Sequence, residues 1–360
     1  MRMTGRLALL GLFALTSCLL SAAGVYDRAE ELSRARVEAG RMKNVVILEG
    51  AVRETPDVGE IAAAEPAYTP LETPPGEALS EQETLEAASE ILSSVMESSP
   101  DADIRETTIP GGLFLKNATG YPVDVEQMLW DGPLVRLPAE GPQILIIHTH
   151  GSEAYTPAGL DRYESNDASR TEDLRCNVIR VGDELAELLE SQGLNVLHDR
   201  EIYDYPSYTG SYSRSGEAVQ RYLDAYPDIA VVIDLHRDAL GADGVVYKTM
   251  AEEEGTVASQ VMLLVGTDDS GLEHPNWRSN LSLALYLQNA VDQAHPTLMR
   301  PVSLVRERYN QHLTGGSLIL EVGSSGNTLQ EALAAIRLFA DAAGPALREL
   351  IQVPAPVTEP

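Results

Sequence analysis

The sequence predicts an α/β protein in which a twisted, mostly parallel or mixed sheet is covered by helices on both faces. Two observations lead to this prediction: short apolar segments alternate with amphipathic ones after Ile109, and some of the apolar segments, such as Ile229–Ile233, lack any polar position. A strand without polar positions has both faces buried, which is typical of a sheet between two layers of helices. The chain has 360 residues, which leaves room for an extended leader and one domain of about 250 residues.

The strands and helices of this domain can be placed from hydrophobic periodicity. The predicted strands are Gln143–Ile147, Leu194–Leu197, Ile229–Leu235, Gln260–Val265, Val302–Val305 and Ser317–Val322. One helix carries an apolar stripe from Val178 to Leu189 and ends at Gly193, a C-cap residue. Two more helices are predicted over Asn276–Ala294 and Thr328–Leu350. We therefore expect a single folded domain over residues 107–350 and a flexible tail at 351–360.

The first 25 residues are predicted to be a membrane anchor or signal segment. Arg2 and Arg6 precede the apolar stretch Leu7–Val25, which at roughly 19 residues is just long enough to cross a bilayer as a helix. The basic residues favour a cytoplasmic N-terminus, so we expect an uncleaved single-pass anchor with the rest of the chain outside the cytoplasm. Two alternatives remain open: cleavage after the small residues 21–23, and lipidation at Cys18.

Residues 26–106 are predicted to form a largely disordered linker. Residues 53–106 hold fourteen acidic and two basic residues, six prolines and one aromatic residue. Such a segment cannot bury enough apolar surface to offset its ordering entropy, and its charges repel each other into an extended tether. One short helix is predicted around Glu81–Met96, either as nascent helix in the tether or as an element that docks a partner.

Charge and motif content exclude several classes of function. The formal net charge of −29 argues against a nucleic-acid-binding protein, which needs a basic surface to neutralise phosphates. The only cysteines are Cys18 and Cys176, so the domain has no internal disulfide and no zinc site built from several thiolates. A GxSxG elbow, a P-loop and a dinucleotide fingerprint are all absent, which disfavours serine hydrolases, nucleotide enzymes and dehydrogenases.

Candidate zinc ligands follow two of the predicted strands. His148 and His150 come directly after the first strand, and Glu153 lies three positions beyond His150. On a tight turn, this HxxE spacing brings an imidazole and a carboxylate to one side, as two ligands of a tetrahedral zinc require. His236 ends a second strand, and Asp234 on the same face can accept its ring proton. Ligands on neighbouring strand ends predict an open catalytic zinc site.

A carboxylate also interrupts a third apolar strand. Glu321 is the one charged residue in Ser317–Val322, and a buried charge is costly unless it is paired or functional. We interpret Glu321 as the general base that takes a proton from water and delivers one to the leaving amine. The structural alternative is an ion pair with Arg306 or Arg308.

Several motifs resemble the stage II sporulation protein P family. They are ILIIHTHGSEAY from Ile144, NVIRVGDELAELLESQGLNVLHD from Asn177, DLHRDA from Asp234, PNWRSN from Pro275, YNQHL from Tyr309 and LILEVGSSGNTLQEA from Leu318. The resemblance implies a fold similar to zinc N-acetylmuramoyl-L-alanine amidases, with amidase and endopeptidase activity on peptidoglycan. It also implies a membrane anchor and partnership with stage II sporulation proteins D and M during engulfment.

The resemblance also distributes roles over the motifs. His148 or His150, then His236 and Glu321, match the family's essential residues, and we expect His150 to be the ligand of the first pair. Related amidases place their carboxylate ligand further along the chain, so Glu172 or Asp173 are alternatives to Glu153.

Substrate contacts are expected elsewhere in the motifs. Arg237 can polarise the scissile carbonyl or hold a stem-peptide carboxylate, and either Trp277 with Arg278 or Tyr309 with Asn310 can line a groove. Two other functions remain open: a metallopeptidase acting on proteins or free peptides, and a wall-binding scaffold without catalysis.

Overall fold

The structure, a computed structural model, describes residues 45–48, 51–54, 102–109, 115–156, 162–163, 169–242, 245–253 and 255–352. The chain divides into two units at Thr69 and Pro70. The predicted anchor Leu7–Val25, the predicted helix Glu81–Met96 and all but the first two residues of the predicted tail lie outside the described residues. None of the helices in the described part of the chain is both long enough and apolar enough to cross a membrane.

Ordered strands extend into the predicted linker. In the first unit, β1 (Val45–Leu48) and β2 (Ala51–Glu54) form an antiparallel hairpin in which Val45 lies opposite Glu54. The apolar run of β1 is separated by two residues from Ala51 and Val52 of β2, a spacing typical of a hairpin, and β2 ends within the first residues of the acidic stretch that suggested a tether. In the second unit, β3 (Ala102–Thr107) also begins before residue 107.

The second unit is built around a seven-stranded sheet. Its members are β4 (Leu115–Asn117), β5 (Ile144–Ile147), β7 (Val196–His198), β8 (Val231–Asp238), β12 (Val261–Val265), β13 (Val302–Leu304) and β14 (Ser317–Ser324). Their order across the sheet is β4-β13-β12-β14-β8-β5-β7. All neighbours are parallel except β12 and β14. This arrangement confirms the predicted α/β class with a mostly parallel or mixed sheet, and each of the six predicted strands is present within two or three residues.

A smaller sheet lies in the same unit and was not predicted. It has the order β11-β10-β3-β6, and β9 also pairs with β10. The new members are β6 (Arg162–Tyr163), β9 (Gly241–Ala242), β10 (Val245–Glu253) and β11 (Thr256–Ser259). Strand β10 escaped prediction because it ends in a run of acidic residues and buries polar side chains such as Thr249.

Five α-helices are present among the described residues. They are α1 (Val125–Asp131), α2 (Val178–Ser191), α3 (Ser211–Ala225), α4 (Trp277–Ala294) and α5 (Leu329–Glu349), with a 3-10 turn at Gln311–Leu313. Helices α2, α4 and α5 agree with the predictions, and Gly193 follows α2 with the positive φ of 85° expected of a C-cap glycine. Helix α3 was missed because its first turn is polar and no side chain caps it.

Alternation along β5 explains how helices cover both faces of the sheet. Ile144 and Ile146 belong to the large core that contains the apolar residues of α2, α4 and α5. Leu145 and Ile147 belong to a second core on the other face, together with Ala218 of α3. All four β5 side chains are at most 1 % exposed, so both faces of this strand are buried as predicted.

The buried Asn327 side chain fixes the small sheet against the end of β14. Its Oδ1 accepts hydrogen bonds from the backbone N–H groups of Thr249 and Ser324 at 3.0 Å each. Its Nδ2 donates to the Thr249 carbonyl at 3.0 Å and to Glu331 at 2.9 Å. This network determines where the last residues of β14 lie, and these residues border the candidate site.

Candidate functional site

The candidate site lies at the carboxyl ends of β5, β8 and β14, on the face covered by α3. Val232 of β8 packs in the α3 core, so the alternate residues Asp234 and His236 point to the same face. Glu321 on β14 lies directly opposite His236 in the parallel register, so the two side chains share that face. Three strand ends that the sequence marked as functional therefore meet at one edge of the sheet.

His150, Glu153 and His236 are brought together by a turn after β5. The Glu153 N–H donates to the His150 carbonyl at 3.0 Å, which closes the tight turn expected from the HxxE spacing. The Glu153 Oε2 atom lies 3.6 Å from Nδ1 of His236, and the rings of His150 and His236 are 5.2 Å apart at 81°. All three side chains are buried.

His236 is held by carboxylates on two sides. Its Nε2 lies 2.9 Å from Oδ1 of Asp234, so the two groups form an ion pair when the imidazole is protonated. Asp234 itself accepts hydrogen bonds from the N–H and hydroxyl of Thr149 at 2.8 and 2.6 Å. Burial disfavours the imidazolium, but the charges of Asp234 and Glu153 outweigh it and raise the pKa of His236 well above its usual value.

Glu153 remains a carboxylate in this environment. Its Oε2 accepts a hydrogen bond from the Arg237 N–H at 3.0 Å, and its Oε1 lies 3.8 Å from Arg170. Burial alone would raise the pKa of Glu153. The combined effect of His236 and the two arginines is larger and lowers the pKa well below its usual value. An ionised carboxylate is the form that binds a metal.

His148 lies on the opposite face of the sheet from this cluster. Its Nδ1 is 2.9 Å from the Leu235 carbonyl, and its Nε2 is 2.8 Å from Nε2 of His198. Helix α2 passes so close that a Cβ on Gly182 would stand 2.5 Å from the His148 ring. Burial, and then the neighbouring His198, lower the pKa of His148 to about 3. The structure thus places His148 apart from His150, Glu153 and His236, and its expected role as an alternative ligand stays a prediction.

Glu321 occupies the site with one oxygen unpaired. Its side chain is partly exposed, and its Oε2 has no hydrogen-bond partner within the described part of the chain. Burial, and then the negative charge of Asp238, raise the pKa of Glu321 to about 8. The ion pairs considered as an alternative are not formed, since Arg306 binds Asp269 and Arg308 donates to the Glu273 carbonyl. A carboxyl group that titrates near neutrality suits proton transfer.

Arg237 has a different position from the predicted one. Its side chain is buried and donates to the carbonyls of Ala154 and Ser169 at 2.6 and 2.7 Å. These contacts fix the loop that carries Glu153. The expected contact of Arg237 with substrate stays a prediction, while its side chain in this structure holds that loop.

The alternative carboxylates lie apart from the histidines. Asp173 binds Arg175 through both oxygens, with contacts of 2.8 and 2.6 Å. Glu172 is exposed to solvent. Of the three carboxylates considered, Glu153 is the one that the structure places beside His236.

The two predicted groove pairs differ in position. Trp277 is 6 % exposed and stacks on Tyr121 with ring centres 5.1 Å apart, so it packs in the core. Tyr309 has a positive φ of 51° and lies 5.3 Å from the ring of Tyr212. Asn310 donates to the carbonyl of Tyr212 at 2.8 Å. The Tyr309 pair therefore borders the α3 side of the site, where an unusual backbone angle is often found.

Sequence reasoning missed an aromatic cluster beside His150. The ring of Tyr208 stacks on His150 at 4.5 Å, and its hydroxyl lies 3.1 Å from His150 Nε2. The guanidinium of Arg170 lies 4.5 Å over the Tyr208 ring and pairs with Asp204 at 2.6 Å. The signal was available, because residues 203–212 hold four tyrosines in ten positions, and aromatic loops at strand ends commonly carry function.

The donors at the site suit zinc chemically, although they are not arranged around a common point. Two imidazoles and one carboxylate leave a fourth position open, as catalytic zinc sites do. Within the described ranges, however, no group of three or more His, Cys, Asp or Glu side chains has the geometry that holds a metal ion. Binding at His150, Glu153 and His236 requires their side chains to rotate.

Comparison with known proteins identifies relatives of the whole domain. A sequence-family model described as "Stage II sporulation protein P (SpoIIP)" matches residues 53–344. The stage II sporulation protein P of Bacillus subtilis (strain 168) is 28% identical over 209 residues, which are 55% of this chain and 49% of that protein. The match thus spans about half the length of this relative.

Solved structures of amidases are also similar. One is the N-acetylmuramoyl-L-alanine amidase AmiC2 of Nostoc punctiforme, with 15% identity, a TM-score of 0.36 and coverage of 59% of this chain and 98% of that one. Another is the CwlD amidase from Clostridioides difficile in complex with the GerS lipoprotein, with 15% identity, a TM-score of 0.36 and coverage of 58% and 98%. At this level of similarity the family match, rather than the structural neighbours, is the basis for assigning the chain.

Proposed function

This chain belongs to the stage II sporulation protein P family, and from that premise we propose that it is a zinc-dependent hydrolase that cleaves amide bonds of peptidoglycan. The bonds are the N-acetylmuramoyl-L-alanine amide and peptide bonds of the stem, and the setting is the thinning of septal wall during engulfment in sporulation. The observation that supports this proposal most is the meeting of His150, Glu153 and His236 beside Glu321 at one edge of the sheet.

His150, Glu153 and His236 are the residues that would hold zinc. Bound there, zinc would supply Lewis-acid chemistry, polarising the amide carbonyl and making water more acidic. Asp234 orients the His236 ring, and Thr149 in turn orients Asp234 through two hydrogen bonds. The Arg237 N–H keeps one oxygen of Glu153 in place.

Glu321 would transfer the protons. Its unpaired Oε2 accepts a proton from the attacking water, and the resulting carboxylic acid donates it to the leaving amine nitrogen. Its raised pKa supports both steps, because a group that titrates near neutrality can accept a proton and release it again within one turnover.

The cellular setting is proposed from the sequence. We expect Leu7–Val25 to anchor the chain in the cell membrane, with the catalytic domain outside the cytoplasm and stage II sporulation proteins D and M as partners. Protease added to intact protoplasts should remove the domain. Survival in protoplasts with cleavage after lysis would contradict this topology.

Digestion of purified sacculi tests the activity. The purified full-length chain, loaded with zinc, should release stem peptides with a free N-terminal alanine and open peptide cross-links, both detected by mass spectrometry. The Glu321→Gln variant is the control for a contaminating hydrolase. Cleavage of casein or free peptides without release from sacculi would indicate a metallopeptidase instead, and binding to sacculi without any cleavage would indicate a scaffold.

A further inference from the structure

Arg300 is a buried cation that the proposed chemistry does not use. Its side chain is 3 % exposed, and Nη1 donates to Oδ2 of Asp238 at 2.7 Å. The other two nitrogens, Nε and Nη2, are buried and have no hydrogen-bond partner among the described residues. Since buried donors are nearly always satisfied, two unpaired donors on one guanidinium indicate a ligand that supplies the acceptors.

The position of Arg300 places these donors beside Glu321. The Arg300 N–H donates to the Val261 carbonyl on β12 at 2.8 Å, while its side chain ends at Asp238 on β8. Strands β12 and β8 flank β14 on its two sides, so the Arg300 side chain crosses the strand that carries Glu321. Strand β14 has an irregular register between Glu321 and Ser324, where Gly323 has a φ of 70°.

The shape of the guanidinium selects the ligand. Nε and Nη2 present two parallel N–H bonds along one edge of a planar group, which matches the two oxygens of a carboxylate. Asp238 occupies Nη1 alone, so this edge remains available. The edge is closed to solvent, whereas Asp238 beside it is 22 % exposed.

We propose that Arg300 binds a free carboxylate of the substrate, one or two residues from the scissile amide, through Nε and Nη2. This inference rests on the proposed hydrolysis of peptidoglycan. It specifies which group of the stem peptide the site recognises. The stem offers this group at the residue after L-alanine, whose carboxylate lies within two residues of the muramoyl amide. The Arg300 side chain crosses the strand that carries Glu321, so a carboxylate bound there lies near the group proposed to transfer protons.

Two matched substrates test the proposal. N-acetylmuramoyl-L-alanyl-D-glutamate with its γ-carboxyl blocked as the methylamide is compared with the same compound carrying an α-carboxamide as well, and kcat/KM is measured for wild type, Arg300→Lys and Arg300→Met. Wild type should prefer the carboxylate by about 10- to 100-fold, the usual range for a hydrogen bond to a charged group. Arg300→Met should lose most of that preference, and Arg300→Lys should retain part of it because the charge stays while the planar edge is lost.

The opposite outcome is equally specific. If Arg300→Met lowers kcat/KM equally for both substrates, with zinc content and melting temperature unchanged, Arg300 serves Glu321 or the packing and the proposal is overturned. Calorimetric titration with N-acetyl-L-alanyl-D-glutamate γ-methylamide and its α-amide separates this question from catalysis. Tighter binding of the acid by wild type but not by Arg300→Met supports the carboxylate site even if no sacculi are hydrolysed. Equal binding of both peptides by wild type overturns it.

Discussion

His148 and His150 stand two positions apart in one motif, yet they lie on opposite faces of the sheet. His148 faces α2 and is paired with His198 and the Leu235 carbonyl, in a fully buried position. His150 faces α3 and lies beside His236. Both have a pKa lowered to about 3, for the same first cause, burial. A depressed histidine pKa therefore does not distinguish the two residues, whereas the proximity of His150 to His236 does.

Substituting the two histidines identically should give the largest difference. We expect His150→Gln to lose bound zinc and to lower the rate on sacculi by about 10²- to 10⁴-fold, because a ligand is removed. His148→Gln should keep zinc and most of the activity. Zinc content by atomic emission and the rate of sacculus digestion check both. Equal loss of zinc in the two variants would contradict the assignment of the ligand role to His150 rather than His148.

A second matched pair sharpens the choice of carboxylate. Glu153→Gln should weaken zinc binding by at least about 10- to 100-fold, since even residues that only support a ligand have effects of this size. Asp173→Asn should leave zinc affinity unchanged, because Asp173 is bound to Arg175 away from the histidines. Competition with a chromogenic chelator measures both affinities. If Asp173→Asn weakened zinc binding more than Glu153→Gln does, Asp173 rather than Glu153 would be the ligand.

The stability of chelator-treated protein should depend on Glu321. Its folded pKa of about 8 is above the usual 4.5, so its contribution to stability is present below pH 4.5 and lost as the pH rises through 8. Because glutamine does not ionise, the Glu321→Gln variant does not lose this stability as the pH rises. At pH 9 the variant should therefore exceed wild type by about 1–3 kcal/mol in free energy of unfolding, a typical cost for an unsatisfied buried polar group. Urea unfolding at pH 4 and pH 9 tests this, and a difference of the same size at both values would contradict it.

The smallest effect is expected on the α2 side. The pKa of His148 is depressed to about 3, so its contribution to stability is present above pH 6.5 and lost as the pH falls toward 3. His148→Gln should make unfolding less sensitive to acid between pH 6 and pH 4, by at most about 1.4 kcal/mol per pH unit. Urea midpoints across this interval provide the measurement. An unchanged slope would show that His148 is not buried in its neutral form.

Sequence periodicity predicted the main sheet well, because strands such as β5 and β8 are buried on both faces and leave a strong apolar signal. It also placed Asp234 and His236 on one face, since alternation holds inside a strand. It could not choose between His148 and His150, because β5 ends at Ile147 and alternation gives no direction in the turn that follows.

Secondary-structure elements with polar sequences could not be predicted from hydrophobic periodicity. Helix α3 and strand β10 are stabilised by contacts that only the fold provides, such as the bonds from Asn327 to Thr249. The Arg170 and Tyr208 cluster is assembled from segments 38 positions apart, and no spacing rule connects them.

The central claim is that Glu321 moves protons while His150, Glu153 and His236 hold the metal. It is tested most directly by measuring zinc content and sacculus hydrolysis together in Glu321→Gln and His236→Ala. We expect Glu321→Gln to retain zinc and lose at least about 10²- to 10⁴-fold in rate, because glutamine keeps the shape but cannot accept a proton. His236→Ala should lose both zinc and activity. Loss of zinc from Glu321→Gln, or hydrolysis by it at nearly the normal rate, would contradict the account.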